Sequence, residues 1–149
     1  SNYTECAIWC NANNATIEDK GDYYEVVTLP LPTLEEIKQH KIAELKVERD
    51  IKEVEPIEYQ GYSFDYDSKA RDRISAAIIA LELQGANADI AWTTADNQDI
   101  SVTAADLRAI VAAVAVRSNA LHIAYRKAKA QVEAAGSAEE VNAVCWGMP

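Results

Sequence analysis

The stretch Ile90-Ala-Trp-Thr-Thr-Ala-Asp-Asn-Gln-Asp-Ile-Ser-Val102, followed at once by Thr103-Ala-Ala-Asp-Leu107, decides the fold of this chain. Apolar and polar residues alternate on both sides of Asp96-Asn97, which predicts a short β-hairpin. Thr103 and Asp106 have the spacing of a helix capping box, so a helix should begin directly after the second strand. The sequence therefore predicts a hairpin and a helix that fold as one unit.

The predicted helix extends from Ala104 to Ala135 and carries one broad apolar face. The residues of that face are Leu107, Ile110, Val111, Val114, Leu121, Ala124, Tyr125, Ala128 and Val132. We expect this face to anchor the core. Unbroken, the helix would be about 48 Å long at 1.5 Å per residue, and we expect any bend at Ser118-Asn119.

The same hairpin-helix pattern occurs once before. A turn at Gln60-Gly61 divides the alternating segment 57–66, and Asp67 or Ser68 can cap the helix that follows. That helix has a well-spaced stripe formed by Ile74, Ala77, Ile78 and Leu81. After the long helix, Ser137 and Glu140 form another capping-box pattern, which starts a short helix whose Val141, Val144 and Trp146 should fold back on the core.

Residues 3–29 look like a small β module. Ala7–Cys10 is a strand candidate, Asn11–Asn14 has turn chemistry, and a turn at residues 19–22 separates two further β-rich segments. Pro30 and Pro32 then favour a stiff connector.

These patterns predict an α+β, mainly α fold, with helices packed on short β-hairpins and a small N-terminal β meander. The predicted organisation is a β module and linker at 3–32, a connecting helix at 33–56 that Thr33 and Glu36 cap, and a core domain at 57–149. The periodicity of the connecting helix is imperfect, because Lys41 and Glu48 fall where a coiled coil would require apolar residues.

Three aromatic residues of the N-terminal module, Trp9, Tyr23 and Tyr24, have two interpretations. They could form a partner surface, for example an aromatic platform for carbohydrate. They could instead cover the single apolar face of the module, which is the more common role of such residues.

The charge of the chain limits its partners. A formal net charge of −10 argues against a nucleic-acid backbone or an anionic membrane as the main partner. No apolar run approaches the roughly 20 residues that span a bilayer, and the start shows no signal-peptide pattern. We therefore expect no membrane insertion.

Few residues suggest reactive chemistry. Cys6, Cys10 and Cys145 give no disulfide framework, since Cys6 and Cys10 in one strand would be about 13 Å apart. They also give no zinc-ligand spacing with His40 or His122, so we predict neither a metal nor a cofactor.

Two acidic clusters, Asp65-Tyr-Asp67 and Asp96-Asn-Gln-Asp99, resemble the start of a calcium loop. Both lack the later Gly and Glu that calcium geometry requires. The same carboxylates could serve as the acid and base of a glycosidase, but turn and cap roles explain them.

From Leu34 to Trp146 the chain resembles a family of unknown function found in bacteriophage and prophage tail proteins. The matching residues include the helix start at Leu34, the Gly61–Asp65 hairpin, Asp72-Arg73, and Trp92 with Asp96-Asn97. The match continues through Ile100, Val102-Thr103, Asp106-Leu107, Leu121, Tyr125, Lys129 and the segment 135–141.

This resemblance implies a non-enzymatic tail component, such as a fibre or adaptor protein, or alternatively a tail-fibre assembly chaperone. Its partners would be other tail proteins or further copies of the chain. The protein would be found in the virion, or in the host cytoplasm during assembly. A glycan-processing enzyme that uses the exposed acids is a third hypothesis from another class.

Overall fold

A computed structural model describes residues 3–147. The described part contains five helices and three two-stranded antiparallel sheets, and this confirms the predicted α+β, mainly α fold class. The elements in chain order are α1 Tyr3–Ala12, β1 Ala15–Asp19, β2 Tyr24–Thr28, α2 Leu34–Glu53, β3 Ile57–Tyr59, β4 Tyr62–Phe64, α3 Ser68–Gln84, β5 Asp89–Thr93, β6 Asp99–Thr103, α4 Ala104–Ala134 and α5 Ala138–Ala143. The chain divides into two compact units, which we call unit 1 (residues 1–36) and unit 2 (residues 37–149).

Unit 1 consists of α1 and the β1-β2 hairpin. The predicted strand at Ala7–Cys10 is wrong, because these residues lie inside α1. The asparagines end that helix: the Asn13 side chain donates to the Trp9 carbonyl at 2.8 Å, and Asn14 adopts a left-handed conformation with φ of 49°. The meander is therefore a single hairpin that follows a helix, with Cys6 and Cys10 one helical turn apart.

Unit 2 contains the two hairpin-helix units that the sequence predicts. Gln60 and Gly61, both with positive φ, form the tight turn between β3 and β4, and Asn97 takes the left-handed position in the loop after β5. The predicted caps are also confirmed. Asp67 accepts from the Ala70 amide at 2.8 Å, and Thr103 and Asp106 form a complete capping box on α4.

The core of unit 2 lies where the two hairpins meet α3 and the first half of α4. Its buried residues are Phe64, Ile74, Leu81, Trp92, Val102, Leu107 and Ile110. Every residue of the predicted α4 face is at least half-buried, and Arg73 lies over the ring of Trp92 at 5.0 Å. The long helix thus anchors the core as predicted.

Ser118-Asn119, where we expected any bend, lies inside one unbroken helix. α4 is continuous over 31 residues, about 46 Å at 1.5 Å per residue. At this point α2 packs against it: the Ser118 hydroxyl donates to Glu53 Oε1 at 2.9 Å, and Lys38 donates to the Glu133 carbonyl at the other end. The two helices therefore run antiparallel, and contacts with α2 occupy the predicted weak point.

The helix α4 is more apolar than the sequence prediction of no membrane-spanning segment suggests. By length and composition alone this helix could cross a membrane, with a mean hydropathy of 1.3 over an 18-residue window. Four of its large aliphatic residues, Leu107, Ile110, Val114 and Val132, are buried in unit 2. Only 17% of that window is buried, however, so the expected lack of membrane insertion stays a prediction.

Candidate functional site

Two features of the described residues could receive a partner. The first, which we call the hairpin cleft, lies in unit 2 between the two hairpins and the start of α4. It encloses about 330 Å³ and is lined by Tyr59, Gln60, Tyr62, Phe64, Ile100, Ser101, Val102 and Asp106. The second is an exposed aromatic surface on unit 1.

Asp106 and Tyr59 form the polar centre of the hairpin cleft. The Asp106 carboxylate accepts hydrogen bonds from the Thr103 amide at 2.9 Å and the Thr103 hydroxyl at 2.7 Å. Its other oxygen accepts from the Tyr59 hydroxyl at 3.1 Å, and Nε2 of the Gln60 side chain donates to that hydroxyl at 3.0 Å. The carboxylate thus joins the first hairpin to the beginning of α4.

Both groups have shifted pKa values. The Thr103 amide, followed by the Thr103 hydroxyl, lowers the pKa of Asp106 below its usual range. Burial, followed by the hydrogen bond to Asp106, raises the pKa of the Tyr59 hydroxyl. At neutral pH the carboxyl is therefore ionised and the phenol protonated, an arrangement that suits hydrogen bonding better than proton transfer.

This geometry predicts how acid affects stability. Because the folded-state pKa of Asp106 lies below that of the unfolded chain, its contribution is complete above the unfolded-state pKa and disappears as the pH falls through the folded-state pKa. Asp106→Asn should therefore lose less unfolding free energy than the wild type between neutral and acidic pH. Urea unfolding at both pH values measures this. Asp72→Asn, at an exposed carboxylate, is the matched control, and equal acid sensitivity in wild type and Asp106→Asn would contradict the assignment.

The acidic side chains at the β5-β6 loop accept hydrogen bonds from residues of the same hairpin. Thr94 is buried; its hydroxyl donates to Asp96 at 2.6 Å and accepts from the Gln98 amide. Asp96 also accepts from the Gln98 side chain at 2.7 Å, and Asp99 accepts from the Thr93 hydroxyl at 2.7 Å. The Ala95 amide donates to the Ser63 carbonyl, which ties this loop to β4.

The carboxylates that a glycosidase would use already have structural roles, since Asp67 caps α3 and Asp96 organises a turn. It would fail if Asp67→Asn and Asp96→Asn left any detected glycan-processing activity unchanged. For metals, residues 3–147 contain no group of three or more His, Cys, Asp or Glu residues arranged to hold an ion.

The sequence-predicted partner residues Trp9, Tyr23 and Tyr24 all lie in unit 1 and are exposed, with 52%, 61% and 64% of their surface accessible. The rings of Tyr3 and Tyr24 are in edge-to-face contact, with 5.7 Å between centroids. Tyr23 lies in the turn before β2, where its carbonyl accepts from the Lys20 amide. The structure thus leaves the three rings largely in contact with solvent.

A groove beside these rings was not predicted from the sequence. It encloses about 280 Å³ and is lined by Glu5, Cys6 and Trp9 of α1 and Val26 of β2. Tyr24 and Val26 are two residues apart on one strand, so both face the same side of the hairpin. We define the aromatic surface as Tyr3, Trp9 and Tyr24 together with this groove. A strand at residues 7–10 would not have brought these residues together, and α1 has little amphipathic periodicity that could have indicated a helix.

Comparison with known proteins gives one match. No curated protein and no solved structure shows significant similarity to the chain. The sequence model of one family, described as a domain of unknown function, DUF4376, matches residues 36–144. The match begins where unit 2 begins and includes the hairpin cleft, whereas the aromatic surface lies before it. The chain therefore belongs to the DUF4376 family of domains of unknown function.

Proposed function

We propose that this protein is a non-enzymatic structural component of a bacteriophage or prophage tail, a fibre or adaptor protein. In this proposal unit 2 is the scaffold and the aromatic surface of unit 1 is the contact with a partner. The proposal begins from the resemblance of the segment from Leu34 to Trp146 to domains of phage tail proteins.

The distinctive polar residues of that segment support a scaffold role. Asp96 orders the β5-β6 loop, Thr103 and Asp106 cap α4, and Asp67 caps α3. Each of these residues stabilises local structure through its own hydrogen bonds. Polar residues with such local structural roles are expected in a domain that serves as a rigid scaffold.

The exposure of the unit 1 aromatic residues is the observation that carries the proposed contact. Within the described part of unit 1, only Cys10 and Ala15 are buried apolar residues, whereas Tyr3, Ile8, Trp9, Tyr23 and Tyr24 are more than half exposed. Large exposed apolar areas commonly mark interaction sites. Tyr and Trp are also the residues that most often dominate binding energy at protein interfaces.

The alternative is a tail-fibre assembly chaperone. It is favoured by a second exposed apolar stripe formed by Val47 and Ile51 of α2 and by Val54 directly after this helix, which are 58%, 58% and 49% accessible. A protein that shields the apolar tip of a fibre during production would need such surfaces. The same stripe suits self-association of the chain, so a homo-oligomer remains part of the proposal.

Detection of the protein in purified particles and in the lysate of producing cells distinguishes these roles. A structural component should appear in washed particles in a fixed ratio to the other tail proteins. A chaperone should be captured with a fibre protein from the lysate and be absent from particles. If the protein is found neither in particles nor with a fibre protein, the proposed tail role is wrong.

A further inference from the structure

The longest helix, α4, has an apolar face in contact with solvent. Its most apolar 18-residue window has a mean hydropathy of 1.3, and only 17% of that window is buried. Two large aliphatic side chains of the helix, Val116 and Ile123, are 72% and 59% accessible. The packing of unit 2 therefore uses only part of the apolar surface of this helix.

The exposed face lies opposite the contacts that α4 makes with α2. Ser118 and Tyr125, which α2 contacts, are each two residues after Val116 or Ile123. At about 100° per residue, this separation is about 200° around the helix. We call the outward row the α4 outer face; its residues, of which only Ala109 is half-buried, are Ala105, Ala109, Ala112, Val116, Asn119 and Ile123.

The α4 outer face follows the seven-residue repeat of paired helices. Positions 105, 112 and 119 form one row and positions 109, 116 and 123 form the other, so the spacing alternates between four and three residues. None of the six residues is charged, although charged residues make up 26% of the chain. Such a repeat is typical of a helix that packs along another helix.

A second copy of α4 is complementary in shape to this face when the two helices are antiparallel. Centring the pair on Val114 places each larger side chain of one copy opposite an alanine of the other: Ile123 opposite Ala105, Asn119 opposite Ala109 and Val116 opposite Ala112. Large side chains that alternate with small ones allow two helices to pack closely. A parallel pair would instead place each larger side chain opposite itself and leave gaps between the alanines.

The charges at the two ends of the face are also complementary in the antiparallel pair. Arg126 and Lys127 follow the face, are exposed and form no ion pair among the described residues. The β5-β6 hairpin, which leads directly into α4, carries exposed Asp89 and Asp99, whose carboxylates accept hydrogen bonds from uncharged hydroxyl groups of the same hairpin. Antiparallel pairing brings the two cations of each copy past the start of the partner's helix, towards this acidic hairpin.

We propose that the α4 outer face binds the same face of a second copy of this chain in an antiparallel pair. The paired segments, residues 105–123, are about 28 Å long at 1.5 Å per residue. Two helices of this length bury less than the roughly 1,200 Å² of a stable interface, so we expect a dissociation constant of roughly 100 μM. The chain is then mainly monomeric in dilute solution and pairs when it is concentrated. This pairing does not depend on the proposed tail role.

Sedimentation equilibrium of the full chain, from about 1 μM to about 1 mM, tests the pairing. The wild type should form a dimer, and Val116→Glu should raise the dissociation constant at least roughly tenfold, because it brings two carboxylates into the contact. Leu83→Glu adds the same charge at an exposed apolar residue of α3 and should leave the dimer unchanged. A wild type that stays monomeric, or a dimer that tolerates Val116→Glu, would overturn the inference. Circular dichroism confirms that each variant is folded.

A matched pair of charge reversals tests the ends of the contact. Lys127→Glu and Lys69→Glu change the net charge equally, but Lys69 lies at the start of α3, where it is exposed. Lys127→Glu should weaken the dimer clearly more than Lys69→Glu does. Equal effects of the two variants would contradict the assigned contact.

Disulfide cross-linking determines the orientation of the pair, in a chain whose Cys6 and Cys145 are replaced by serine. A mixture of the Ala109→Cys and Asn119→Cys variants should form a cross-linked dimer. Neither variant alone should do so, because its two copies of the substituted position would be about 15 Å apart. Cross-linking of either variant with itself would indicate a parallel pair, and the inference would be wrong.

Two other arrangements give distinct results. If the exposed stripe of α2 mediates self-association, Ile51→Glu should dissociate the dimer and Val116→Glu should not, which overturns the inference. If the α4 outer face binds a membrane, the wild type should sediment with phosphatidylcholine vesicles and Val116→Glu should not, which also overturns it. All these measurements use the purified protein, so they can succeed or fail independently of detection in particles.

Discussion

Replacement of Ile110 by alanine is expected to lower the free energy of unfolding of unit 2 by about 2–5 kcal/mol. Ile110 is fully buried in the cluster where α3, α4 and both hairpins meet. Removal of its side chain loses the free energy of apolar burial and leaves a cavity that the packed neighbours only partly fill. Domains of this size are stable by about 5–15 kcal/mol, so the loss is a large fraction of the total.

Ile123 is a matched control on the same helix, because 59% of its surface is exposed. Ile123→Ala should change the free energy of unfolding by no more than about 0.5 kcal/mol, since alanine also favours helix formation. Urea unfolding of both variants, followed by circular dichroism, provides the comparison. Similar losses in the two variants would show that the α4 face toward the hairpins is not the core of the unit.

Replacement of Arg117 by alanine is expected to cost about 2–3 kcal/mol and to loosen the end of α2. The Arg117 guanidinium donates to three backbone carbonyls, those of Glu53 at 2.9 Å, Glu55 at 2.8 Å and Pro56 at 3.1 Å. The Glu53 carbonyl is the last of α2, where a cation also interacts favourably with the helix dipole, and the other two belong to the segment that follows the helix. The variant leaves them without this donor.

Hydrogen exchange tests the Arg117 prediction at the position where it should act. Amide protons in the last turn of α2 should exchange faster in Arg117→Ala, whereas those around Ile110 should change little. Arg117→Lys should give an intermediate result, because one ammonium cannot reproduce the planar fork of the guanidinium. Arg126→Ala, at an exposed arginine of α4, is the control. Unchanged exchange and unchanged stability in Arg117→Ala would contradict the assigned role.

Much of unit 2 could be predicted because local chemistry determines it. The Gln60-Gly61 turn, the Asp67 cap and the Thr103–Asp106 capping box each depend on residues no more than three positions apart. The buried face of α4 could be predicted from the 3.6-residue period. These features follow from backbone sterics and nearby hydrogen bonds, which a short segment contains in full.

The first helix could not be predicted in this way. Only Cys10 of α1 is fully buried, so the segment lacks the apolar stripe that usually indicates a helix. The asparagines after it are equally suited to a turn after a strand and to the end of a helix. The groove beside Trp9 was missed for the same reason, because it exists only when residues 5, 6 and 9 share one helical face.

Long-range polar contacts were also beyond prediction. Arg117 binds carbonyls more than 60 positions earlier, and Tyr59 meets Asp106 across 47 positions. Ser118 was expected to weaken α4, because its neighbour in space, Glu53, could not be known. Such pairs depend on how α2, α4 and the hairpins pack, and no local pattern encodes that packing.

The boundary between the two units falls inside the first turn of α2. The family match and unit 2 begin within one residue of each other, whereas the cap of α2 is supplied from the other side: Glu36 accepts from the Thr33 amide at 2.7 Å, and the Thr33 hydroxyl accepts from the Glu36 amide. Both members of this capping box, Thr33 and Glu36, belong to unit 1, whereas most of the helix that they cap belongs to unit 2. An N-terminal segment of different sequence would therefore leave the start of α2 uncapped unless it supplied an equivalent pair.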